Sequence, residues 1–157
     1  MPTVNDQDQL DVLQQVTATT LENFAFMFAE GVDDEPVNVP DDADYITASV
    51  DFFGSSQSGN VLVAMPTAQC LQMAADVLGM LSEDLPENAT RDVIQEWANI
   101  LGGALVAELF GKEKTFRLSS PVATRVGTTG IMELCNAPGT IALRVEEQLV
   151  FARLQIA

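Results

Sequence analysis

The sequence contains no histidine, and this absence removes several common kinds of catalytic site. Without histidine the chain cannot form a Ser-His-Asp triad or a Cys-His pair, and it lacks the commonest general base of enzymes. The two cysteines, Cys70 and Cys135, lie far apart among apolar residues, so we interpret them as buried reduced thiols and not as zinc ligands. Any chemistry must therefore use carboxylates, amides or groups that a partner supplies.

Basic residues are also scarce. Seven lysines and arginines stand against 23 aspartates and glutamates, which gives a formal net charge of −16. A chain of this charge repels both the phosphate backbone of nucleic acids and anionic lipid surfaces, so we expect no nucleic-acid partner and no membrane partner. An exposed basic patch on another protein would instead be attracted to it.

Long hydrophobic runs are absent as well. The longest apolar stretch, residues 100–110, is interrupted by two glycines and a glutamate and is too short to cross a bilayer. Residues 1–10 contain two aspartates and no basic residue, unlike the start of a secretory signal, so we expect a cytoplasmic protein. With 157 residues, 47% of them apolar, we expect one domain spanning residues 1–157.

Hydrophobic periodicity in the first part of the chain predicts an amphipathic helix followed by an acidic loop. Apolar residues recur at three- and four-residue steps over residues 9–30, and Gly31 offers a place for this helix to end. Residues 31–44 combine six acidic residues with Pro36 and Pro40, which is typical of an exposed loop. They lack the spaced acidic series of a calcium-binding loop, so we expect no calcium there.

The remaining residues predict a hairpin, two helices and a strand meander. Residues 45–53 alternate between apolar and polar, and together with residues 60–65 they predict the hairpin. Pro66 and Thr67 open a helix that extends to residue 78, and after a break at residues 82–88 a longer helix runs to Gly111. Strands are predicted at residues 116–119, 122–126, 131–134, 140–146 and 150–156. These elements make an α+β fold with a mostly antiparallel sheet packed against helices.

The longer helix separates into an apolar side and a polar side when it is projected at about 100° per residue. Its polar side presents Asp92, Glu96, Asn99 and Gly103, with Gln95 beside them. By periodicity alone, such a row is most often the solvent-facing side of an amphipathic helix. Its apolar side consists of Val93, Ile94, Trp97, Ala98, Ile100, Leu101, Ala104 and Leu105.

Two details of this helix ask for an explanation beyond amphipathicity. The adjacent Gly102 and Gly103 each cost roughly 1 kcal/mol relative to alanine in a helix interior. Either another surface approaches the helix closely there, or the helix packs tightly on its own sheet. Glu96 and Asn99, one turn apart, fix a carboxylate beside an amide, and no lysine at helical spacing neutralises the glutamate.

The spacing of four residues resembles the signature of a known family. Asp92, three residues, Glu96, two residues, Asn99, 21 residues and Pro121 resemble the Asp/Ser-x3-Glu-x2-Asn-x21 or 22-Pro pattern of the CheC, CheX and FliY chemotaxis phosphatases. The predicted order of helix, hairpin, two helices and strands is similar to that family over most of the chain. A single copy of the motif resembles the CheX type, because the first helix offers no second Glu-x-x-Asn.

This resemblance implies that the chain dephosphorylates the aspartyl phosphate of a CheY-like response regulator, in chemotaxis or a related pathway. Asn99 would orient the attacking water, and Glu96 would pair with the active-site lysine of the regulator. Asp92 and Gly103 would contact the partner, and Pro121 would shape the loop beside the helix. The protein would need no cofactor of its own, because Mg²⁺ is expected on the response-regulator partner.

The resemblance also implies a homodimer, since CheX relatives pair through their sheets, and edge strands within residues 131–156 are the expected contact. Two other interpretations stay open. The chain could be a non-catalytic adaptor that binds a response regulator or flagellar component through the same helix. It could also be a domain of another kind in which the motif occurs by chance.

Overall fold

The chain folds into helices and strands in an order close to the one its periodicity predicts. The computed structural model describes residues 6–32 and 37–157. The elements, in chain order, are α1 (Asp6–Ala25), β1 (Ala29–Gly31), β2 (Tyr45–Phe53), β3 (Ser58–Pro66), α2 (Thr67–Leu78), a 3₁₀ turn (Ser82–Asp84), α3 (Ala89–Phe110), β4 (Arg117–Leu118), β5 (Val122–Val126), α4 (Thr128–Asn136), β6 (Thr140–Val145) and β7 (Gln148–Ile156).

The strands of the described residues form one antiparallel sheet. Its order is β1-β6-β7-β3-β2, and the outer side of β2 pairs with both β4 and β5. The hairpin between β2 and β3 is in register along its whole length, from Tyr45 opposite Pro66 to Phe53 opposite Ser58. These elements confirm the predicted α+β fold with an antiparallel sheet packed against helices.

The sheet is covered on both faces, but unequally. Helices α1, α2 and α3 bury the main core against one face, to which β7 contributes Val150, Ala152 and Leu154. Because successive side chains of a strand point to opposite faces, Phe151 lies on the other side, where it packs with Ile131 and other residues around α4. The candidate helix α3 therefore belongs to the layer with the larger core.

The end of the first helix differs from the prediction. The apolar period continues to residue 30, but α1 ends at Ala25, and Phe26 adopts a left-handed backbone conformation with φ of 57°. Met27 then turns into the core, while Phe26 and Phe28 remain 77% and 69% exposed. Residues 29–31, predicted as helix and loop, form β1 and pair with β6.

One predicted strand is wrong. Residues 131–134 lie in helix α4, and this helix buries Ile131 and Leu134 against the sheet. Three apolar residues among four positions, interrupted by Glu133, are compatible with either a strand or one side of a short helix, so the pattern alone is ambiguous. The strand predicted at residues 116–119 is shorter than expected and is limited to β4.

The expected dimer edges also need correction. Within the described residues, β7 lies between β6 and β3, and the second half of β6, residues 143–145, lies between β1 and β7. Residues 131–136 belong to a helix, so little of the predicted segment 131–156 is a sheet edge. The edges of the described sheet are β1 together with residues 140–142 of β6 on one side, and β4 with β5 on the other.

Two further predictions concern the loop and the cysteines. Residues 37–44 form no helix or strand, whereas Asp33, Asp34, Glu35 and Pro36 lie outside the described residues. Both cysteines are free, but only Cys70 is buried, and Cys135 is half-buried. Burial raises the pKa of the Cys70 thiol to about 12, which keeps it protonated and unreactive.

No helix in residues 6–32 and 37–157 combines the length and apolar character needed to cross a membrane.

Candidate active site

Helix α3 holds the polar row on its outer side. The buried side chains of the helix, among them Ile94, Ala98 and Leu101, form one continuous side against the sheet and α1. Asp92 and Glu96 are exposed, and Asn99 and Gly103 are half-buried. The structure therefore brings Asp92, Glu96, Asn99 and Gly103 together on one accessible surface.

The side chains of this row leave their polar groups unpaired within residues 6–32 and 37–157. In the part of the chain that the structure describes, the side chains of Asp92, Glu96 and Asn99 have no hydrogen bond or ion pair. A carboxylate and an amide held one turn apart on a rigid helix can therefore both bind groups of another molecule.

Trp97 fixes the inner side of the helix. Its side chain is fully buried, and its indole Nε1–H donates a hydrogen bond to Thr20 Oγ1 of α1 over 3.1 Å. The hydroxyl of Thr20 in turn donates to the backbone oxygen of Thr17 over 3.0 Å. This large residue, between Glu96 and Asn99 in the sequence, thus belongs to the interface between α1 and α3.

The structure separates the roles of the two glycines. A Cβ atom on Gly102 would lie 2.9 Å from Val50 Cγ2, whereas on Gly103 the nearest atom, Leu118 Cδ1, would lie 4.0 Å away. Gly102 is therefore required by tight packing on the sheet. Gly103 has no such requirement within the described residues, and it lies in the half-buried row with Asn99.

Pro121 lies beside α3, directly before β5. It is joined to α3 through Gln95, which the sequence places only beside the polar row. Gln95 Nε2 donates a hydrogen bond to the Pro121 carbonyl oxygen over 3.1 Å. No local pattern could have indicated this contact, because its two residues are 26 positions apart.

The described residues offer no group of three or more cysteine, aspartate and glutamate side chains that could hold a metal ion. The polar row on α3 suits binding to polar or charged groups of another molecule. It supplies two carboxylates, those of Asp92 and Glu96, that can pair with a cation and one amide, that of Asn99, that can both donate and accept hydrogen bonds.

Comparison with known proteins identifies related sequences and folds. The family model described as "Chemotaxis phosphatase CheX" matches residues 46–144. A chemotaxis protein CheX from Desulfovibrio desulfuricans is 16% identical, with a TM-score of 0.68 over 96% of this chain and 99% of that one. CheX from Vibrio vulnificus is 13% identical, with a TM-score of 0.70 over 96% and 99% of the two chains.

A third solved structure is a complex. The CheX-CheY-BeF3-Mg²⁺ complex from Borrelia burgdorferi contains a chain that is 13% identical to this one, with a TM-score of 0.64 over 98% of this chain and 99% of that one. At these identities the solved structures establish the shared fold. A comparison with curated protein sequences gives no match.

Proposed function

Because the chain belongs to the CheX family of chemotaxis phosphatases, we propose that it hydrolyses the aspartyl phosphate of a CheY-like response regulator. The observation that supports this proposal most directly is the outward row on α3, where an exposed Glu96 and a half-buried Asn99 have no hydrogen bond or ion pair within the described residues. A relative of the same fold has been solved with CheY bound, which supports a CheY-like partner.

The reaction asks little covalent chemistry of this chain. Phosphoryl transfer depends mainly on positioning and on the stabilisation of charge, and Mg²⁺ on the partner would neutralise charge on the phosphoryl oxygens. Asn99 suits the positioning of water, since its amide accepts one hydrogen bond and donates others without adding negative charge beside the phosphoryl group. Partial burial restricts its rotamers, which favours one orientation of the bound water.

Glu96 is proposed to anchor the partner. An exposed carboxylate one turn from Asn99 can form a charge-assisted hydrogen bond with the active-site lysine of the regulator. That contact would align α3 with the phosphorylated aspartate. Asp92 would extend the contact by one turn, and Gly103 would allow the partner's backbone to approach closely because it carries no side chain.

The experiment measures the decay of aspartyl phosphate on a phosphorylated CheY-like regulator, with and without this protein. Wild type should accelerate the decay, while Glu96→Ala and Asn99→Ala should each abolish most of the acceleration. Asn99→Asp should fail as well, because its carboxylate is repelled by the phosphoryl group. Glu22 and Asn23, exposed on α1, provide matched controls, and their alanine variants should behave as wild type.

Equal decay rates for wild type and all variants would refute the phosphatase proposal. A non-catalytic adaptor would give a different result in the same experiment. It would bind the phosphorylated regulator through α3, and binding would weaken in Glu96→Ala, but the lifetime of the phosphate would not shorten.

We also propose that two copies associate as a homodimer through one of the two sheet edges, β1 or β4 with β5. Both edges lie at the ends of the strand order and carry unpaired backbone groups within the described residues. Sedimentation velocity at several protein concentrations tests this, and a monomer at all of them would refute it.

A further inference from the structure

Pro121 lies in a β-bulge at the edge of the sheet. Leu118 of β4 stands opposite Phe52, and Val122 of β5 stands opposite Ser49, both on β2. The three residues 119–121 therefore face only two residues of β2, which is the arrangement of a bulge. Bulges redirect backbone groups out of the ladder and are frequent at sheet edges and beside active sites.

The bulge is fastened to β2 at its first residue. Ser119 N–H donates to the Asp51 backbone oxygen over 2.9 Å, and Asp51 N–H donates to Ser119 Oγ over 2.8 Å. A proline at the end of the bulge adds no N–H that would need a partner on the sheet, and edge strands tolerate proline for this reason. The only backbone group of Pro121 that can form a hydrogen bond is its carbonyl oxygen, and this oxygen accepts a hydrogen bond from Gln95 of α3.

The bond between Gln95 and Pro121 holds one flank of the polar row. At about 100° per residue, Gln95 and Trp97 lie about 200° apart around the helix, and Glu96 lies between them. Trp97 is bonded to α1, and Gln95 is bonded to the bulge. Two hydrogen bonds on opposite flanks resist rotation of α3 about its own axis.

Asn99 lies closest to the flank that Gln95 holds. It follows Gln95 by four residues, so the two side chains are neighbours one turn apart on the same side of the helix. Farther along this flank, Gly102 packs against Val50, which lies on β2 opposite the bulge. The helix turn that bears Asn99 is thus fixed to the bulge by one hydrogen bond, and the next turn is fixed to β2 beside the bulge by one close packing contact.

We infer that Gln95 is a positioning residue for the phosphatase reaction: by bonding the carbonyl of Pro121 at the β4–β5 bulge, it sets the orientation of the helix turn that presents Asn99. This inference rests on the proposed function. It also gives a physical reason for the position of Pro121: the bulge brings the carbonyl of this residue to the turn of α3 beside Asn99, and a proline leaves no N–H unpaired at the sheet edge. Gln95 itself contacts neither the phosphate nor the water.

The test is steady-state dephosphorylation of a CheY-like regulator kept phosphorylated by acetyl phosphate, with kcat and KM determined separately. Gln95→Met keeps the length of the side chain and removes the N–H donors. We expect kcat to fall roughly tenfold, because small misplacements of positioning groups are costly, while KM stays within about twofold. Gln95→Glu keeps the shape of the side chain but cannot donate a hydrogen bond. Its kcat should fall at least as far.

The matched control is Gln72→Met. Gln72 also donates through Nε2, here to Asp76 on the exposed side of α2, so the same substitution is made on a helix outside the site. Circular dichroism should show that Gln72→Met and both Gln95 variants are folded, and Gln72→Met should keep the kcat of wild type. Asn99→Ala serves as the reference for the rate that is expected when no side chain positions the water.

Three results would overturn the inference, and they are distinguishable. If both Gln95 variants keep the wild-type kcat while Asn99→Ala loses it, the phosphatase proposal stands and the positioning role is wrong. If KM rises in the Gln95 variants at constant kcat, Gln95 contacts the partner directly. If wild type is no faster than Asn99→Ala, the proposed function fails, and the positioning role fails with it.

Discussion

Trp97 supports the candidate site from behind. Its side chain is the largest of the fully buried ones among the described residues, and its indole donates a buried hydrogen bond to Thr20 that joins α3 to α1. The bulk of this residue anchors the helix to α1, while its neighbours Glu96 and Asn99 remain available on the other side. A residue between two candidate site positions can therefore have a structural role.

Trp97→Phe is expected to lower the free energy of unfolding by about 1–3 kcal/mol, because the variant loses both the hydrogen bond and part of the buried ring. Thr20→Val removes only the hydroxyl and leaves the indole N–H buried without an acceptor, which costs a similar amount. Urea unfolding followed by circular dichroism measures both changes. If the hydrogen bond couples Trp97 and Thr20, the double variant loses less free energy of unfolding than the sum of the two single variants. Additivity within about 0.3 kcal/mol would contradict the bond.

At the scale of the element, α3 must satisfy two surfaces at once. Its inner side packs on the sheet so closely that Gly102 has no room for a Cβ, and its outer side is proposed to receive another protein. Adjacent positions of one helix therefore follow different constraints. The two glycines make this difference measurable.

Gly102→Ala and Gly103→Ala should change stability in opposite directions. The first places a methyl group 2.9 Å from Val50, so overpacking should cost about 1–3 kcal/mol, reduced by the better helix propensity of alanine. The second meets no atom closer than 4.0 Å and should gain up to about 1 kcal/mol. Thermal unfolding shows whether each variant is more or less stable than wild type. A Gly102→Ala variant that is more stable would contradict the close packing of Gly102 on Val50.

Gly103→Ala should nevertheless bind the regulator more weakly, if the partner approaches α3 closely at that position. Titration of a phosphorylated regulator with this variant measures the effect. A variant that is more stable and binds as well as wild type would show that Gly103 lies outside the contact.

Long, strongly periodic elements could be predicted from the sequence, whereas short or interrupted ones could not. Helix α3 and the β2–β3 hairpin follow their side-chain periods closely. Helix α1 ends early because Phe26 leaves the helical conformation, which no period reveals. Three residues of β1 are too few to show alternation, and residues 131–134 are too few to distinguish a strand from a helix.

The same limit applies to the candidate site. The helical projection and the spacing of the motif select Asp92, Glu96 and Asn99, because the relative positions of these residues depend only on the helix itself. The contact of Gln95 with Pro121 depends on the bulge between β4 and β5, which arises from pairing with β2. Such a contact belongs to the tertiary structure and has no signature within either segment.

At the scale of the whole molecule, an exposed ion pair joins distant parts of the chain. Arg125 of β5 donates to both carboxylate oxygens of Asp44, at 3.3 and 2.6 Å, and Thr67 at the start of α2 donates to the same carboxylate over 3.0 Å. The hydrogen bond from Arg125 and, to a smaller extent, the one from Thr67 lower the pKa of Asp44 below its ordinary value of 3.8.

Because the pKa of Asp44 is lower in the folded protein, its stabilising effect is complete above its ordinary pKa and is lost as the pH falls through the folded value. Asp44→Asn should therefore be slightly less stable than wild type at pH 7, and the difference should shrink below about pH 4. The effect is small, since the pair is exposed. Urea unfolding at both pH values measures it, and an unchanged difference would contradict the linkage.

The net charge of −16 should govern how quickly the proposed partner arrives. A regulator that presents its active-site lysine should associate more slowly as ionic strength rises from about 0.02 to 0.2 M, because the Debye length shortens over this range. Stopped-flow association rates measure this, with spontaneous phosphate loss as the salt-insensitive control. Rates independent of salt would exclude electrostatic steering.

The position of Trp97 also gives the protein a built-in optical reporter. It is the only tryptophan of the chain, and its indole lies beneath the helix turn that presents Glu96 and Asn99. Its fluorescence therefore arises from one known site, shielded from solvent while α1 and α3 remain packed. Emission spectra can therefore follow unfolding, and with it any separation of α1 from α3, without an attached dye.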